Sequence, residues 1–181
     1  GFKQAGFEVA LAIDFSTASI NTHQRNFPET KSFAGDLTEL GTEGVLNYVL
    51  QYVPVESRLG IIGGPPCQGF SRSNPNADPN DPRNSLPSLY VDIIQSLQSH
   101  YNIEFIVFEN VLGMKDAKHA EKYNSLISGL TDIGFTINEQ ELCALDYGVP
   151  QVRNRIIISG MRNDKGYNKI KPIKRSGLKT V

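Results

Sequence analysis

The chain alternates between short apolar runs and longer stretches whose apolar residues recur at helical spacing. The apolar runs at residues 7–13, 59–63 and 105–108 predict strands, and a further short apolar segment lies at residues 32–34. The predicted helices are residues 17–26, 43–52, 86–97 and 121–133. A regular succession of strand and helix predicts an α/β protein with a mostly parallel sheet.

Two more strands close the pattern, at residues 135–142 and 155–159, with a turn at residues 146–150 between them. We expect these two strands to pair antiparallel, which gives the sheet an antiparallel strand at the end of the chain. Arg153 and Arg155 lie between the turn and the last strand. Residues two apart on an extended chain share a face, so the two guanidinium groups are expected to project together.

Acidic residues follow several of these apolar segments. Asp14 ends the first strand, Asp36 follows residues 32–34, and Glu109 directly follows residues 105–108. Open α/β sheets bind their ligands at this carboxyl edge. Asp14 and Asp36 can each accept hydrogen bonds from ribose hydroxyls or cap the next helix, and the pattern leaves both alternatives open. Glu109 is either a site residue or a surface carboxylate.

A cysteine follows the third apolar run, in the sequence LGIIGGPPCQGFS over residues 59–71. Two glycines allow a tight turn and two prolines stiffen the backbone just before Cys67, which predicts a cysteine held at the edge of the sheet. The other cysteine, Cys143, is expected to be a small buried hydrophobic residue. Two distant cysteines, with no CxxC and no Cys/His cluster, predict neither a disulfide framework nor a metal site.

Composition and charge limit the possibilities further. With 181 residues, 39% of them hydrophobic, the chain is expected to form one domain or part of one. It has no apolar run of membrane-spanning length and does not begin like a signal peptide, so we expect an intracellular protein with no membrane partner. The net charge is −1, but residues from Arg162 onward carry +6 and the remainder −7. Taken alone, this basic tail reads as a solvated segment.

Three segments, in this order, resemble the DNA (cytosine-5)-methyltransferase family: GPPCQGFS at residues 64–71, ENV at 109–111 and QVRNR at 151–155. The resemblance extends from Gly1 to about Met161. It implies the Rossmann-like fold of S-adenosylmethionine-dependent methyltransferases, DNA methylation of the restriction-modification type, and a cytoplasmic bacterial protein, or a nuclear one in a eukaryote.

The resemblance also assigns residues to the cofactor, S-adenosylmethionine. Asp14 matches the acid that binds the ribose, and Phe15 matches the apolar residue that flanks the adenine. Asp36 and Leu37 match the pair around the adenine edge. Pro66 and Leu86 fall where the family lines the cofactor pocket.

The chemistry implied for the family explains why it needs these residue types. Cytosine C5 is a weak nucleophile, so the thiolate of Cys67 would add to C6 and make C5 enamine-like. Glu109 would donate a hydrogen bond to N3 and read the exocyclic amine, while Arg155 and Arg153 would hold the ring O2 side and the carboxylate. A base inside a duplex is out of reach, so the partner would be double-stranded DNA with the cytosine flipped out.

The resemblance places further residues on the DNA. Residues 72–84 are dense in turn formers and are expected to form a long mobile loop that acts as a lid. The residues that would contact DNA are Gln68, Ser71, Ser73 and Arg83.

The chain also departs from the family. The family's first strand and its D-x-F-x-G-x-G-G loop precede the point that matches Gly1, and a target-recognition domain follows the point that matches Val181. We therefore expect residues 1–161 to be a partial catalytic domain and residues 162–181 a basic segment that leads toward target recognition. A complementary chain could supply the missing strand and domain. The alternatives are a tRNA cytosine-C5 methyltransferase, a non-catalytic DNA-binding fragment, or half of a split enzyme.

Overall fold

The computed structural model describes residues 1–66, 85–166 and 172. The strands in these ranges are β1 (Leu11–Asp14), β2 (Lys31–Ala34), β3 (Arg58–Gly63), β4 (Asn102–Asn110), β5 (Phe135–Cys143) and β6 (Asn154–Arg162). The helices are α1 (Thr17–Asn26), α2 (Leu37–Tyr52), α3 (Leu86–Gln98) and α4 (Ala120–Asp132). The predicted alternation of strands and helices is confirmed, and the fold class is α/β.

The chain divides into two compact units. The first comprises Gly1–Ser57 and Asp92–Asn102, and the second comprises the described residues of Arg58–Val91 and Ile103–Val181. Each unit contains its own sheet: β1 and β2 form one, and β3, β4, β6 and β5, in that order, form the other.

The first unit is built on a parallel pair of strands followed by helices. β1 pairs with β2 from Leu11 opposite Lys31 to Asp14 opposite Ala34. The sequence predicted a start at residue 43 for the next helix, and this was wrong, because α2 begins at Leu37. Asp36 caps this earlier turn, and Gly41, with φ 60°, allows a kink between two helical stretches.

Aromatic residues pack against one another in the first unit. The Phe33 ring lies 4.5 Å from the Tyr48 ring and 5.1 Å from the Tyr52 ring, measured between centroids. The buried Tyr101 hydroxyl donates to the carbonyl oxygen of Val53 at 2.8 Å and lies 3.3 Å from that of Val49. Both carbonyls lie at the C-terminal end of α2, where that of Val49 also accepts from the N–H of Val53 at 2.8 Å, so Tyr101 adds a side-chain donor at this helix end.

The second unit has a mixed sheet. β6 runs antiparallel to both of its neighbours. Its residue Ile158 lies opposite Phe108 on β4 and opposite Glu139 on β5. The predicted antiparallel pairing of the last two strands is confirmed. One face of this sheet carries fully buried side chains, which include Ile106, Phe108, Ile156 and Ile158.

A glycine and an aromatic ring fit together on neighbouring strands of this sheet. A Cβ atom at Gly60 on β3 would lie 2.0 Å from the Phe105 ring of β4. The ring therefore occupies the space that any larger residue at position 60 would need.

We expect Gly60→Ala to destabilise the second unit by about 1–3 kcal/mol, because the methyl group forces the Phe105 ring off its position. Urea denaturation would measure the loss. Phe105→Leu completes a double-mutant cycle. In the Phe105→Leu background, Gly60→Ala should lower the free energy of unfolding by less than it does in the wild-type background. Strictly additive effects would show that the ring is not what excludes the methyl group.

Within residues 1–66 and 85–166, no helix combines the length and the apolar character needed to cross a membrane.

Candidate active site

The ends of β4 and β6 bring two of the predicted site residues together. Glu109 lies opposite Ile157, and Arg155 is two residues before Ile157, on the same face of β6. The Arg155 Nε atom lies 3.0 Å from the Glu109 Oε1 atom. The two residues are 46 positions apart in the sequence, so only the antiparallel register makes this pair.

The pair is fixed but open to solvent. Arg155 also donates from Nη1 to the carbonyl oxygen of Asn154 at 2.7 Å, so two of its nitrogen atoms are held by the protein. The Glu109 side chain is 41% exposed and the Arg155 side chain 23%. A carboxylate and a guanidinium group oriented in this way can meet a polar ligand that has both donors and acceptors.

The segment that leads to Cys67 passes beside this pair. A Cβ atom at Gly64 would lie 3.7 Å from the Glu109 Oε2 atom, so the backbone at residue 64 runs along the carboxylate. Asn110 holds the same segment: its Nδ2 donates to the carbonyl oxygen of Pro65 at 3.4 Å, and its Oδ1 accepts from the N–H of Val111 at 2.8 Å.

Asn110 is a site residue that our sequence analysis did not assign. It is only 2% exposed, and a buried amide must be hydrogen-bonded. The signal was present in the sequence, because a polar amide at the end of an apolar strand needs a partner from another segment. Asn110 therefore fixes the end of β4 relative to the backbone just before Cys67.

The predicted residues of the 67–84 segment lie outside the described residues. They are Cys67, Gln68, Ser71, Ser73 and Arg83. Arg153 is described: it is exposed, it precedes β6, and its carbonyl oxygen accepts from the N–H of Ala144 at 3.0 Å. Its assignment to the site stays a prediction.

In the first unit, two carboxylates lie at the carboxyl ends of adjacent parallel strands. Asp14 ends β1, and its Oδ1 accepts from the N–H of Ser16 at 2.8 Å. Asp36 follows β2, and its Oδ1 accepts from the N–H and the hydroxyl of Thr38 at 2.8 and 2.7 Å. The hydrogen bonds from Thr38 lower the pKa of Asp36. Both acids thus shape the turn into a helix while lying at the edge where ligands bind.

The remaining predicted cofactor residues differ in exposure. Phe15, next to Asp14, is 74% exposed, which is unusual for so large an apolar side chain. Leu37 is half-buried at the start of α2, and in the second unit Pro66 is exposed and Leu86 is buried at the start of α3. Carboxylates accept hydrogen bonds from hydroxyl groups and an exposed aromatic ring can stack on a flat base, so these residue types suit a nucleoside.

The fold and this geometry define an α/β domain with polar groups at the carboxyl ends of its strands. The sequence profile of the C-5 cytosine-specific DNA methylase family matches residues 1–180. The chain belongs to this family, which confirms the resemblance drawn from its three motifs.

Relatives that are similar in sequence to this chain are named as type II methyltransferases. The type II methyltransferase M.DdeI of Desulfomicrobium norvegicum is 36% identical over 171 residues, which cover 93% of this chain and 39% of that protein. The type II methyltransferase M.AquIA of Picosynechococcus is 30% identical over 175 residues, covering 92% of this chain and 68% of that protein.

Solved structures show the same fold. A structure described as a DNA modification methyltransferase encoded within an E. coli prophage has a TM-score of 0.74 and 30% identity, covering 92% of this chain and 44% of that chain. The structure of Spodoptera frugiperda DNMT2 has a TM-score of 0.68 and 26% identity, and the match covers 99% of this chain and 50% of that chain.

This chain spans less than half of the length of two of the relatives that it matches. It covers 39% of M.DdeI and 40% of M.SacI of Streptomyces achromogenes.

We expect the Glu109–Arg155 pair to contribute little to folding, since both side chains are partly exposed. A double-mutant cycle with Glu109→Gln and Arg155→Met, measured by urea denaturation, should give a coupling free energy of about 0.2–1 kcal/mol. The bidentate Arg58–Glu104 pair at the other end of β3 and β4 is a control of similar type. A Glu109–Arg155 coupling of about 3 kcal/mol or more would mark a structural ion pair instead.

Proposed function

We propose that the protein containing this chain transfers a methyl group from S-adenosylmethionine to C5 of a flipped cytosine in double-stranded DNA. The observation that carries this proposal is the Glu109–Arg155 pair, which lies at the end of β4 and beside the backbone that leads to Cys67. The family to which the chain belongs supports cytosine in DNA as the substrate.

Cys67 supplies the nucleophile in this proposal. Its thiolate adds to C6 of the cytosine, the electrons of the C5–C6 double bond shift to form C4–C5, and those of the C4–N3 double bond move onto N3. The Glu109 carboxyl group, protonated at this step, donates a hydrogen bond from its O–H to N3, where negative charge develops, and its other oxygen accepts one from the exocyclic amine. C5 thereby becomes nucleophilic enough to take a methyl group. A base, for which water is a candidate, then removes the C5 proton, and the thiolate leaves.

In this proposal, Arg155 orients both the flipped cytosine and the side chain of Glu109. Its Nε atom pairs with the Glu109 carboxylate, and its Nη1 atom donates to the carbonyl oxygen of Asn154. The outer edge of the guanidinium group can therefore face the O2 side of the cytosine. We assign Arg153 to the same side of the ring. A planar fork with several donors suits this double task better than an ammonium group would.

The first unit would bind the cofactor through its two acids and Phe15. In the proposal, Asp14 accepts from the ribose hydroxyls, Phe15 covers one face of the adenine, and Asp36 with Leu37 meets the adenine edge. Pro66 and Leu86 are assigned to the cofactor pocket as well. When bound, S-adenosylmethionine supplies the electrophilic methyl group.

The segment after Cys67 and the basic end of the chain are assigned to DNA. Gln68, Ser71, Ser73 and Arg83 would contact DNA, and residues 162–181 would lead toward a part that reads its sequence. These residues carry seven basic side chains against one acid, which suits a phosphate backbone. We place the protein where DNA is found, in the bacterial cytoplasm or, in a eukaryote, the nucleus.

A further strand would complete the second unit's sheet. β3 pairs with β4 on one side, and no other strand of the described residues pairs with its opposite side. An open edge of this kind accepts a strand. We propose that a segment outside this sequence, or a complementary chain, supplies that strand together with target recognition.

A trapping experiment tests the proposed chemistry. DNA that contains 5-fluorocytosine blocks loss of the C5 substituent, so a protein–DNA adduct that resists SDS should accumulate in the presence of S-adenosylmethionine. We expect no adduct with Cys67→Ser, and adduct formation slowed about 100-fold or more with Glu109→Gln. DNA binding, measured by fluorescence anisotropy, should remain close to that of the wild type.

Cys143→Ser is the matched control, since Cys143 is the other cysteine and lies at the end of β5. It should form the adduct at the wild-type rate. An adduct that persists in Cys67→Ser contradicts the assigned nucleophile. An adduct that appears only when the segment preceding Gly1 is supplied identifies a split enzyme, one that forms on tRNA but not on DNA identifies a tRNA methyltransferase, and no adduct in any case identifies a non-catalytic fragment.

Asp14→Asn tests the cofactor site separately. The amide oxygen can still accept from the N–H of Ser16, so the fold should be kept, but the charge that strengthens hydrogen bonds to ribose is lost. Calorimetry should show S-adenosylmethionine binding weakened by roughly 10- to 100-fold, the range for a hydrogen bond to a charged group. Glu29→Gln, which alters a surface pair with Lys3 in the same unit, should leave the affinity unchanged. Equal losses in both variants would remove Asp14 from the site.

A further inference from the structure

Tyr90, on α3, has a buried hydroxyl that lies between two strands of the second unit. Its oxygen is 3.2 Å from the carbonyl oxygen of Ile61 on β3 and 3.0 Å from that of Val107 on β4. β3 and β4 are neighbours in the sheet. A single hydroxyl proton is thus shared between the backbones of two adjacent strands.

The two carbonyls lie close to the functional ends of these strands. Ile61 is two residues before Gly63, the last residue of β3, and the chain then continues toward Cys67. Val107 is two residues before Glu109 on β4. The hydroxyl therefore connects the strand that leads to the proposed nucleophile with the strand that carries the proposed proton donor.

The ring of Tyr90 is held in place as tightly as its hydroxyl. It packs edge-to-face on Phe108, with 5.3 Å between the ring centroids. A Cβ atom at Gly63 would lie 2.6 Å from the Tyr90 Cε2 atom, so the ring fills the space beside the end of β3. A small residue at position 63 lets the ring approach the backbone this closely.

We propose that Tyr90 is a positioning residue for the methyl-transfer site, and that its hydroxyl sets the spacing between the end of β3 and the end of β4. The inference rests on the proposed function. Catalysis depends on the separation of the reacting groups, and a displacement of about 1 Å can cost on the order of 100-fold in rate. A hydroxyl that served packing alone would change stability and leave the rate of the chemical step unchanged.

The first unit offers a matched control for this inference. Tyr101 also has a buried hydroxyl near two backbone carbonyls, those of Val49 and Val53, but these carbonyls lie at the end of α2. Tyr90→Phe and Tyr101→Phe each remove one buried hydroxyl and keep the ring. The two variants should lose similar stability. A difference in activity between them therefore depends on where in the fold each hydroxyl group lies.

The experiment compares the two variants in the 5-fluorocytosine trapping reaction, with the full protein at a temperature well below either unfolding transition. We expect Tyr90→Phe to slow adduct formation about tenfold, with the dissociation constant for DNA within twofold of the wild-type value. Tyr101→Phe should change neither quantity. A wild-type rate in Tyr90→Phe, or equal slowing in both variants, would overturn the inference.

Hydrogen exchange provides a readout that does not need catalysis. The amides of Ile62, Gly63 and Gly64 should exchange at least tenfold faster in Tyr90→Phe than in the wild type, and at the wild-type rate in Tyr101→Phe. If the wild type forms no adduct, the proposed function fails, while the exchange data still decide whether Tyr90 holds the end of β3. Unchanged exchange in Tyr90→Phe would refute the positioning role directly.

Discussion

The hydrogen-bond register between β4 and β6 is the constraint on which the site depends. Glu109 meets Arg155 because Glu109 lies opposite Ile157 and side chains alternate faces along a strand. A slip of one residue would turn Arg155 to the other face and bury its charge among Phe108 and Ile158. The cost of burying Arg155 therefore disfavours this slip, and the observed register brings Glu109 and Arg155 together.

Hydrogen bonds from buried polar side chains connect the strand ends. Asn110 connects the end of β4 to the backbone at Pro65, and Tyr90 connects β4 to β3. Each such hydrogen bond adds only about 1 kcal/mol to stability, but leaving the buried group without its partner costs about 1–3 kcal/mol. This asymmetry makes a single arrangement of the strand ends preferable to many similar ones.

Patterns in the sequence predicted those parts of the molecule that depend on local periodicity. The continuous apolar run before Glu109 predicted β4, and the hairpin-like end of the chain predicted the antiparallel pairing that carries Arg155. The start of α2 was missed, because a kink at Gly41 joins a short capped turn to the regular helix. The hydrogen-bond partners of Asn110 and Tyr90 were not predicted, since they are backbone atoms far away in the sequence and periodicity does not identify them.

The burial of Tyr90 has a consequence for how the protein responds to acid and base. Burial raises the pKa of the Tyr90 hydroxyl far above its ordinary value, so the group keeps its proton throughout the neutral and moderately alkaline range. Over this range the hydroxyl keeps both of its hydrogen-bond partners, the carbonyl oxygens of Ile61 on β3 and Val107 on β4. Tyr90 and Asn110, the two polar side chains that connect these strand ends, are thus both neutral groups.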